Sequence, residues 1–207
     1  SLGVLANRPL NAIVDGNIVR LATPRPTEPQ QPYPDALTSL HALEQELRTR
    51  ITGEVYLGGE TLKLEDFFYF AVEFEDYGNQ SHNKTSWDEI EYRVVNQRLN
   101  RMVEFMQKNL KDGSAKAWQT IFPDYRKALT LALEALRHKA DSVSLSQSTT
   151  ISDALKNAIP PDHQNAPLSQ KALWLTQNVD GISSVLCGMR TPEYVDDVLA
   201  LKSWEAQ

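Results

Sequence analysis

The chain has 207 residues, of which 41% are hydrophobic and 23% are charged. These proportions are typical of globular proteins, so they exclude wholesale disorder, collagen and fibrous repeats. The net charge of −6 is opposite in sign to what phosphate-backbone binding favours, so we expect no nucleic-acid partner. No apolar run approaches the ~18–20 residues that cross a bilayer, so we expect a soluble protein with no membrane partner.

A single cysteine, Cys187, excludes an internal disulfide and every multi-cysteine metal motif. A single cysteine without a disulfide partner is typical of proteins in a reducing compartment, so we expect a cytoplasmic location. The chain begins at Ser1 without Met, which suggests a piece of a longer polypeptide, although processing would give the same beginning.

The N-terminal part of the chain predicts one strand followed by a linker. Residues 3–6, Gly-Val-Leu-Ala, form a short apolar run before Pro9, which is typical of a buried strand. We therefore interpret residues 1–22 as a strand with its exit loop. Residues 23–34 contain five prolines, which neither a helix nor a central strand accommodates, so this segment is predicted to be a linker.

Residues 35–165 carry mainly helical patterns. Apolar residues recur there at three- and four-residue steps, and the Ser/Thr-rich residues 142–150 predict a loop. An aromatic-rich run, residues 62–77, is interpreted as a core helix that ends at Gly78, and Thr85-Ser86 as the N-cap of a long helix that stops before Asp112-Gly113. The predicted helices of this region are 35–50, 62–77, 85–110, 123–140 and 151–159.

Residues 166–207 predict a helix, a strand and a second helix. The first helix covers 167–178 and ends near Gly181. The β-branched residues in 182–187 predict a strand. Thr191 is a good N-cap and Pro192 suits the first helical position, so a last helix begins there. The predicted fold is predominantly α, with two short strands at opposite ends of the chain that pair, at most, in parallel.

The two ends of the chain resemble the aldo/keto reductases. Residues 181–193, GISSVLCGMRTPE, follow the family pattern of Gly-Val, a strand of the type S-x-V-I/L-x-G, and R-T-P-E before a helix. Residues 3–12, GVLANRPLNA, are similar to the preceding barrel strand and its exit. The family folds as a (β/α)8 barrel. The resemblance implies that the two strands are the seventh and eighth of a barrel, separated by a helical insertion.

The resemblance implies part of a nicotinamide dinucleotide site and no catalytic residue. The family's proton-donating Tyr and its neighbours lie on the first six strands, so this chain alone is predicted to be inactive. NADP or NAD would bind in the full-length protein. Three of the positions depart from the family. Asn7 stands where the family has an aromatic residue that stacks on the nicotinamide. Tyr194 stands where many members have an Arg or Gln, and Val198 where they have an Asn. The implied cofactor-binding residues are Asn7, Arg8, Gly188, Met189, Arg190, Thr191, Tyr194 and Asp197.

The residues themselves predict an anion site at the start of the last helix. Backbone N–H groups from Met189 to Glu193 would face a phosphate at a helix N-terminus, and Arg190 would supply a positive charge. The alternative is that Arg190 pairs with a carboxylate such as Asp197.

Three weaker signals have structural interpretations beside functional ones. Asp76-Tyr77-Gly78 resembles the family's Tyr-Gly motif, but Val72 stands where an Asp is required, so the segment is interpreted as the end of a core helix. Met102 and Met106 either pack in the core or bind a partner helix. The four histidines show no metal-ligand spacing and are interpreted as surface residues: His41, His82, His138 and His163.

Two functions from different classes are consistent with these observations. The first is the C-terminal portion of an aldo/keto-reductase-like oxidoreductase, whose partner is the missing N-terminal barrel or a second copy that covers unpaired strand edges. The second is a non-enzymatic helical interaction or regulatory domain.

Overall fold

The computed structural model describes residues 11–14, 17–20, 28–187 and 192–204. The fold is predominantly helical, which confirms the predicted class. The described helices are α1 (Tyr33–Arg50), α2 (Phe70–Asn79), α3 (Lys84–Ile90), α4 (Asn96–Asn109), α5 (Asp112–Ala154), α6 (Leu168–Gln177) and α7 (Pro192–Ala200). The described strands are β1 (Asn11–Val14), β2 (Asn17–Arg20), β3 (Glu54–Leu57) and β4 (Glu60–Lys63).

The chain divides into two compact units. The central unit is Pro26–Ser142, and the terminal unit combines Ser1–Arg25 with Val143–Gln207. The division falls within α5. In the described part of the chain, no helix is both long enough and apolar enough to cross a membrane.

The central unit has one apolar core. Helix α1 buries Leu40 and Leu47, which belong to the predicted apolar stripe, and Ala36, which lies one turn before Leu40. The helix begins at Tyr33, because Pro34 fits its first turn. The largest apolar or aromatic side chains that the core buries completely or nearly so are Trp87, Tyr125, Phe68, Phe70 and Phe74.

The predicted helix over residues 62–77 is wrong in its first half. Residues up to Lys63 belong to an antiparallel hairpin of β3 and β4, in which Leu57 faces Glu60. Gly58 and Gly59 have φ of 60° and 93°, the left-handed backbone that a two-residue hairpin loop requires. A 3-10 turn, Leu64–Phe67, follows, and α2 begins only at Phe70.

The predicted long helix over residues 85–110 is confirmed as an unbroken helical stretch. It comprises α3, a π-helical segment (Glu91–Val95) and α4. The N-cap is Asn83, whose Oδ1 accepts a hydrogen bond from the Ser86 N–H at 3.0 Å, and not Thr85-Ser86. Met102 and Met106 lie in the core, so the core-packing interpretation is the correct one.

Helix α5 replaces two predicted helices and a loop. As expected, α4 ends before Asp112-Gly113, at Asn109, and α5 begins at Asp112, whose φ is 47°. The Ser/Thr-rich stretch is helical, and its hydroxyls donate to carbonyls four residues earlier, as Ser142 does to His138 O and Thr149 to Leu145 O. These bonds satisfy the side chains without breaking the helix.

The terminal unit confirms α6 and α7 and contradicts the strand between them. Residues 182–187 form neither helix nor strand. A strand requires a hydrogen-bonded partner, whereas β1 and β2 pair with each other, antiparallel, and not with this segment. The expected parallel pairing is therefore absent from the described residues. The predicted strand over residues 3–6 lies outside them.

Candidate functional site

The structure describes only part of the predicted dinucleotide site. Tyr194 lies in the first turn of α7, and Asp197 lies in the same helix. The predicted site residues that lie outside the described residues are Asn7, Arg8, Gly188, Met189, Arg190 and Thr191. That these residues lie close together in one site therefore stays a prediction.

Asp197 links α7 to the start of α6. Its carboxylate accepts hydrogen bonds from Ser169 Oγ at 2.6 Å and from Gln170 Nε2 at 3.0 Å. Both donors lie in the first turn of α6, where the helix dipole also favours a negative charge. Asp197 thus has a structural role that the sequence analysis missed, and each of its oxygens already has one donor.

Lys171 and Ser152 form a buried polar pair. Lys171 is 1% exposed, and its Nζ donates to Ser152 Oγ at 2.6 Å and to Ser152 O at 3.2 Å. Burial lowers the pKa of Lys171. Although a serine and a lysine can act as nucleophile and base, Ser152 lies in the last turn of α5, where the carbonyl end of the helix disfavours a developing oxyanion. We therefore assign Lys171 to capping α5.

The remaining reactive residue types have ordinary surroundings. Cys187 is half-buried, and burial raises the pKa of its thiol, which makes the thiolate scarce at neutral pH. His163 stacks on Trp204 with ring centroids 4.3 Å apart, and His41 lies 4.0 Å from a Glu75 oxygen. No three His, Cys, Asp or Glu side chains within the described ranges are placed to hold a metal ion.

Two polar side chains of the central unit, Glu44 and Lys139, hold the two ends of α2. Near its N-terminus, Glu44 accepts a hydrogen bond from the Ala71 N–H at 3.2 Å. Near its C-terminus, Lys139 Nζ donates to Gly78 O and lies 5.2 Å from the centroid of the Tyr33 ring. These contacts satisfy helix ends. They support the interpretation of Asp76-Tyr77-Gly78 as the end of a core helix.

A surface groove lies between the β3–β4 hairpin and α4, with a volume of about 260 Å³. We call it the hairpin groove. The residues that line it are Leu57, Leu62, Phe67, Tyr69, Arg98, Arg101, Met102 and Phe105. A second depression of about 320 Å³ shares Leu62, Phe67 and Tyr69 with it and adds Thr61, Lys63 and Asp66. Because the two depressions share three residues, they are neighbours on the surface.

Aromatic and cationic side chains shape the hairpin groove. Phe67 and Phe105 stack with ring centroids 4.6 Å apart. The Arg98 guanidinium lies 5.5 Å from the centroid of the Tyr69 ring and pairs with Glu73. Burial alternates along the four consecutive aromatic residues 67–70: Phe68 and Phe70 are buried, whereas Phe67 and Tyr69 are only half-buried. Sequence reasoning assigned the whole run to the core and missed this surface.

Comparisons of the chain with protein-family models, with curated proteins and with solved structures found no match.

Proposed function

We propose that the chain is the C-terminal portion of an aldo/keto-reductase-like oxidoreductase. The observation that carries the proposal is the division into units. Both segments that resemble the family, residues 3–12 and 181–193, belong to the terminal unit, whereas residues 26–142 form a unit with its own core. This is the arrangement expected of a barrel end that carries a helical addition.

The segment after α6 supports the same proposal. Leu186 is 95% exposed and Ile182 39% exposed, although both stand in an apolar, β-branched sequence. Water penalises such a surface, and an unpaired strand sequence needs neighbours. The first six strands of a barrel would supply them.

In this proposal the chain contributes to holding a dinucleotide phosphate. The backbone N–H groups at the start of α7 and the Arg190 guanidinium would bind the anion. Tyr194 and Asp197 would lie near it on α7, and Asn7 and Arg8 would approach from the other segment. Hydride transfer to a carbonyl also needs a general acid within ~3 Å of the carbonyl oxygen. In this proposal the earlier strands supply the general acid. The chain alone therefore turns over no aldehyde with NADPH or NADH.

The decisive experiment is to determine the coding sequence upstream of Ser1 and to assay the full-length protein. An Asp-x-x-x-x-Tyr-Gly segment upstream, with NADPH-dependent reduction of an aldehyde, is the expected result. Titration of 2′-phospho-AMP then tests the site, and Arg190→Ala is expected to weaken binding by about 1–3 kcal/mol. Arg126→Ala, which removes an exposed arginine of α5, is the matched control. Absence of the upstream segment, or equal binding by the wild type and Arg190→Ala, contradicts the proposal.

A second candidate is a helical interaction domain without enzymatic activity. The observation that favours it is the hairpin groove, which Leu57 lines while it remains 56% exposed. Large exposed apolar residues next to a groove are typical of a binding surface.

A further inference from the structure

We infer that the hairpin groove is a docking site for an acidic segment of a partner protein that also carries an aromatic or aliphatic side chain. The groove lies wholly in the central unit, and the inference stands without the oxidoreductase proposal. Three properties of the surface identify this occupant: its apolar lining, the sign of its charges and the unpaired outer edges of the hairpin strands.

The apolar lining comes from three elements. Leu57 and Leu62 lie on the hairpin, and the stacked rings of Phe67 and Phe105 lie across from them. Leu57 remains 56% exposed, so a ligand that enters the groove removes apolar surface from water. An aromatic or aliphatic side chain fits such a lining.

The charged residues of the hairpin groove are both cations, although the whole chain has a net charge of −6. Arg98 is held by Glu73 and by the face of the Tyr69 ring. Arg101, one turn further along α4, is exposed and has no hydrogen bond or ion pair with any described residue. A guanidinium in this state can bind a carboxylate through two parallel hydrogen bonds. No acidic side chain lines the hairpin groove itself, whereas Asp66 lines the second depression, so the incoming carboxylate would bind in the groove, at Arg101.

The hairpin adds a backbone surface. In the described residues β3 and β4 pair only with each other, so each strand has an outer edge with free N–H and C=O groups. An extended peptide can bind such an edge and direct alternate side chains to one face. The neighbouring second depression, which Lys63 also lines, adds surface that suits a segment of several residues better than a single small anion.

Selection of heptapeptides from a displayed library against the whole chain tests this inference. The expected peptides combine Asp or Glu with an aromatic or aliphatic residue. Amide resonances of residues 57–69 and 98–105 are expected to shift when a selected peptide is added. Arg101→Glu is expected to weaken binding at least about 10-fold, the loss that follows from removing one charge-assisted hydrogen bond.

Arg126→Glu is the matched control, because it reverses the charge of an exposed arginine outside the groove. It is expected to leave the affinity unchanged. If Arg101→Glu unfolds the chain, Arg101→Gln supplies the same comparison with a smaller change. Circular dichroism and thermal unfolding establish that each variant is folded.

Several outcomes would overturn the inference. Selected peptides without acidic residues would remove the role of Arg101, as would equal binding by wild type and Arg101→Glu. Resonance shifts confined to other surfaces would place the site elsewhere. Full competition by inorganic phosphate would identify a simple anion site, and concentration-dependent self-association abolished by Arg101→Glu would identify a second copy as the occupant. None of these measurements involves Arg190 or a dinucleotide. Their outcome is therefore independent of the test of the oxidoreductase proposal.

Discussion

The Tyr125 hydroxyl donates a hydrogen bond to Glu44 Oε1 at 3.0 Å, between residues 81 positions apart in the chain. The other carboxylate oxygen accepts the Ala71 N–H, so one side chain of α1 joins α2 and α5. Glu44 is 3% exposed, and burial raises its pKa against the opposing effect of these hydrogen bonds. Burial and the neighbouring Glu44 carboxylate raise the pKa of Tyr125, which keeps the phenol protonated as a donor.

Glu44→Gln is expected to change how the free energy of unfolding depends on pH. The pKa of Glu44 is raised in the folded state above its ordinary value of 4.5. The protonated Glu44 carboxyl therefore makes its full contribution to stability below pH 4.5. The contribution is lost as pH rises through the folded pKa. The wild type should therefore lose stability relative to Glu44→Gln between pH 4 and neutral pH in urea unfolding. Glu104→Gln, at an exposed position of α4 in the same unit, is the control. A wild-type stability that rises relative to Glu44→Gln with pH would contradict the assignment.

Gly78→Ala is expected to destabilise the central unit, although replacing Gly by Ala within a helix usually stabilises it. An added Cβ would lie 1.9 Å from the Tyr33 hydroxyl oxygen. Tyr33 would have to move and would lose its hydrogen bond to Phe74 O, now 2.8 Å long. The expected loss is about 1–3 kcal/mol, measured by urea unfolding. Gly113→Ala, whose Cβ meets nothing within 4 Å, should be neutral or stabilising. Equal stabilities of the two variants would show that Tyr33 moves aside freely.

Local sequence patterns predicted the helices whose apolar residues recur with helical periodicity. The leucine steps of α1 and the apolar stripe through Met102 and Met106 follow from helical periodicity, and both are confirmed. The two hairpins also had a local signal that the analysis did not use. Asp15-Gly16 separates β1 from β2, and Gly58-Gly59 separates β3 from β4, and both dipeptides are typical of two-residue hairpin loops.

Other features could not be predicted from the composition or the local patterns of the chain. The Ser/Thr-rich part of α5 has a loop-like composition, yet its hydroxyls bond within the helix. The hairpin groove needs Arg98 and Arg101 of α4 beside Phe67 and Tyr69, which only the packing of the central unit provides. The strand over residues 182–187 was predicted from its β-branched residues and from the family resemblance, but a strand depends on a partner.

The ion pair between Glu91 and Arg137 is expected to contribute more than the neighbouring pair between Glu89 and Arg93. The Glu91 side chain is 9% exposed and bonds Arg137 at two nitrogens. The Glu89 and Arg93 side chains are 62% and 70% exposed. Because Arg137 keeps some access to water, Glu91→Ala should cost about 1–3 kcal/mol, and Glu89→Ala about 0.5 kcal/mol or less. Urea unfolding of both variants gives the comparison, and similar losses would mean that burial does not strengthen the Glu91 pair.

The amides of residues 183–187 are expected to exchange rapidly with solvent deuterium in the 207-residue chain. The segment forms no strand, and Leu186 is 95% exposed, so hydrogen bonds to a neighbouring strand do not protect it. In a longer protein that supplies the preceding barrel strands, the same amides should slow by at least about 10-fold, because a central strand is protected on both edges. Amides in the middle of α6 are the internal control, since the helix protects them in both proteins. Slow exchange of residues 183–187 in the short chain at every concentration would mean that the segment is already covered, which contradicts its assignment as a strand without neighbours. Protection that appears only as concentration rises would show that a second copy covers it.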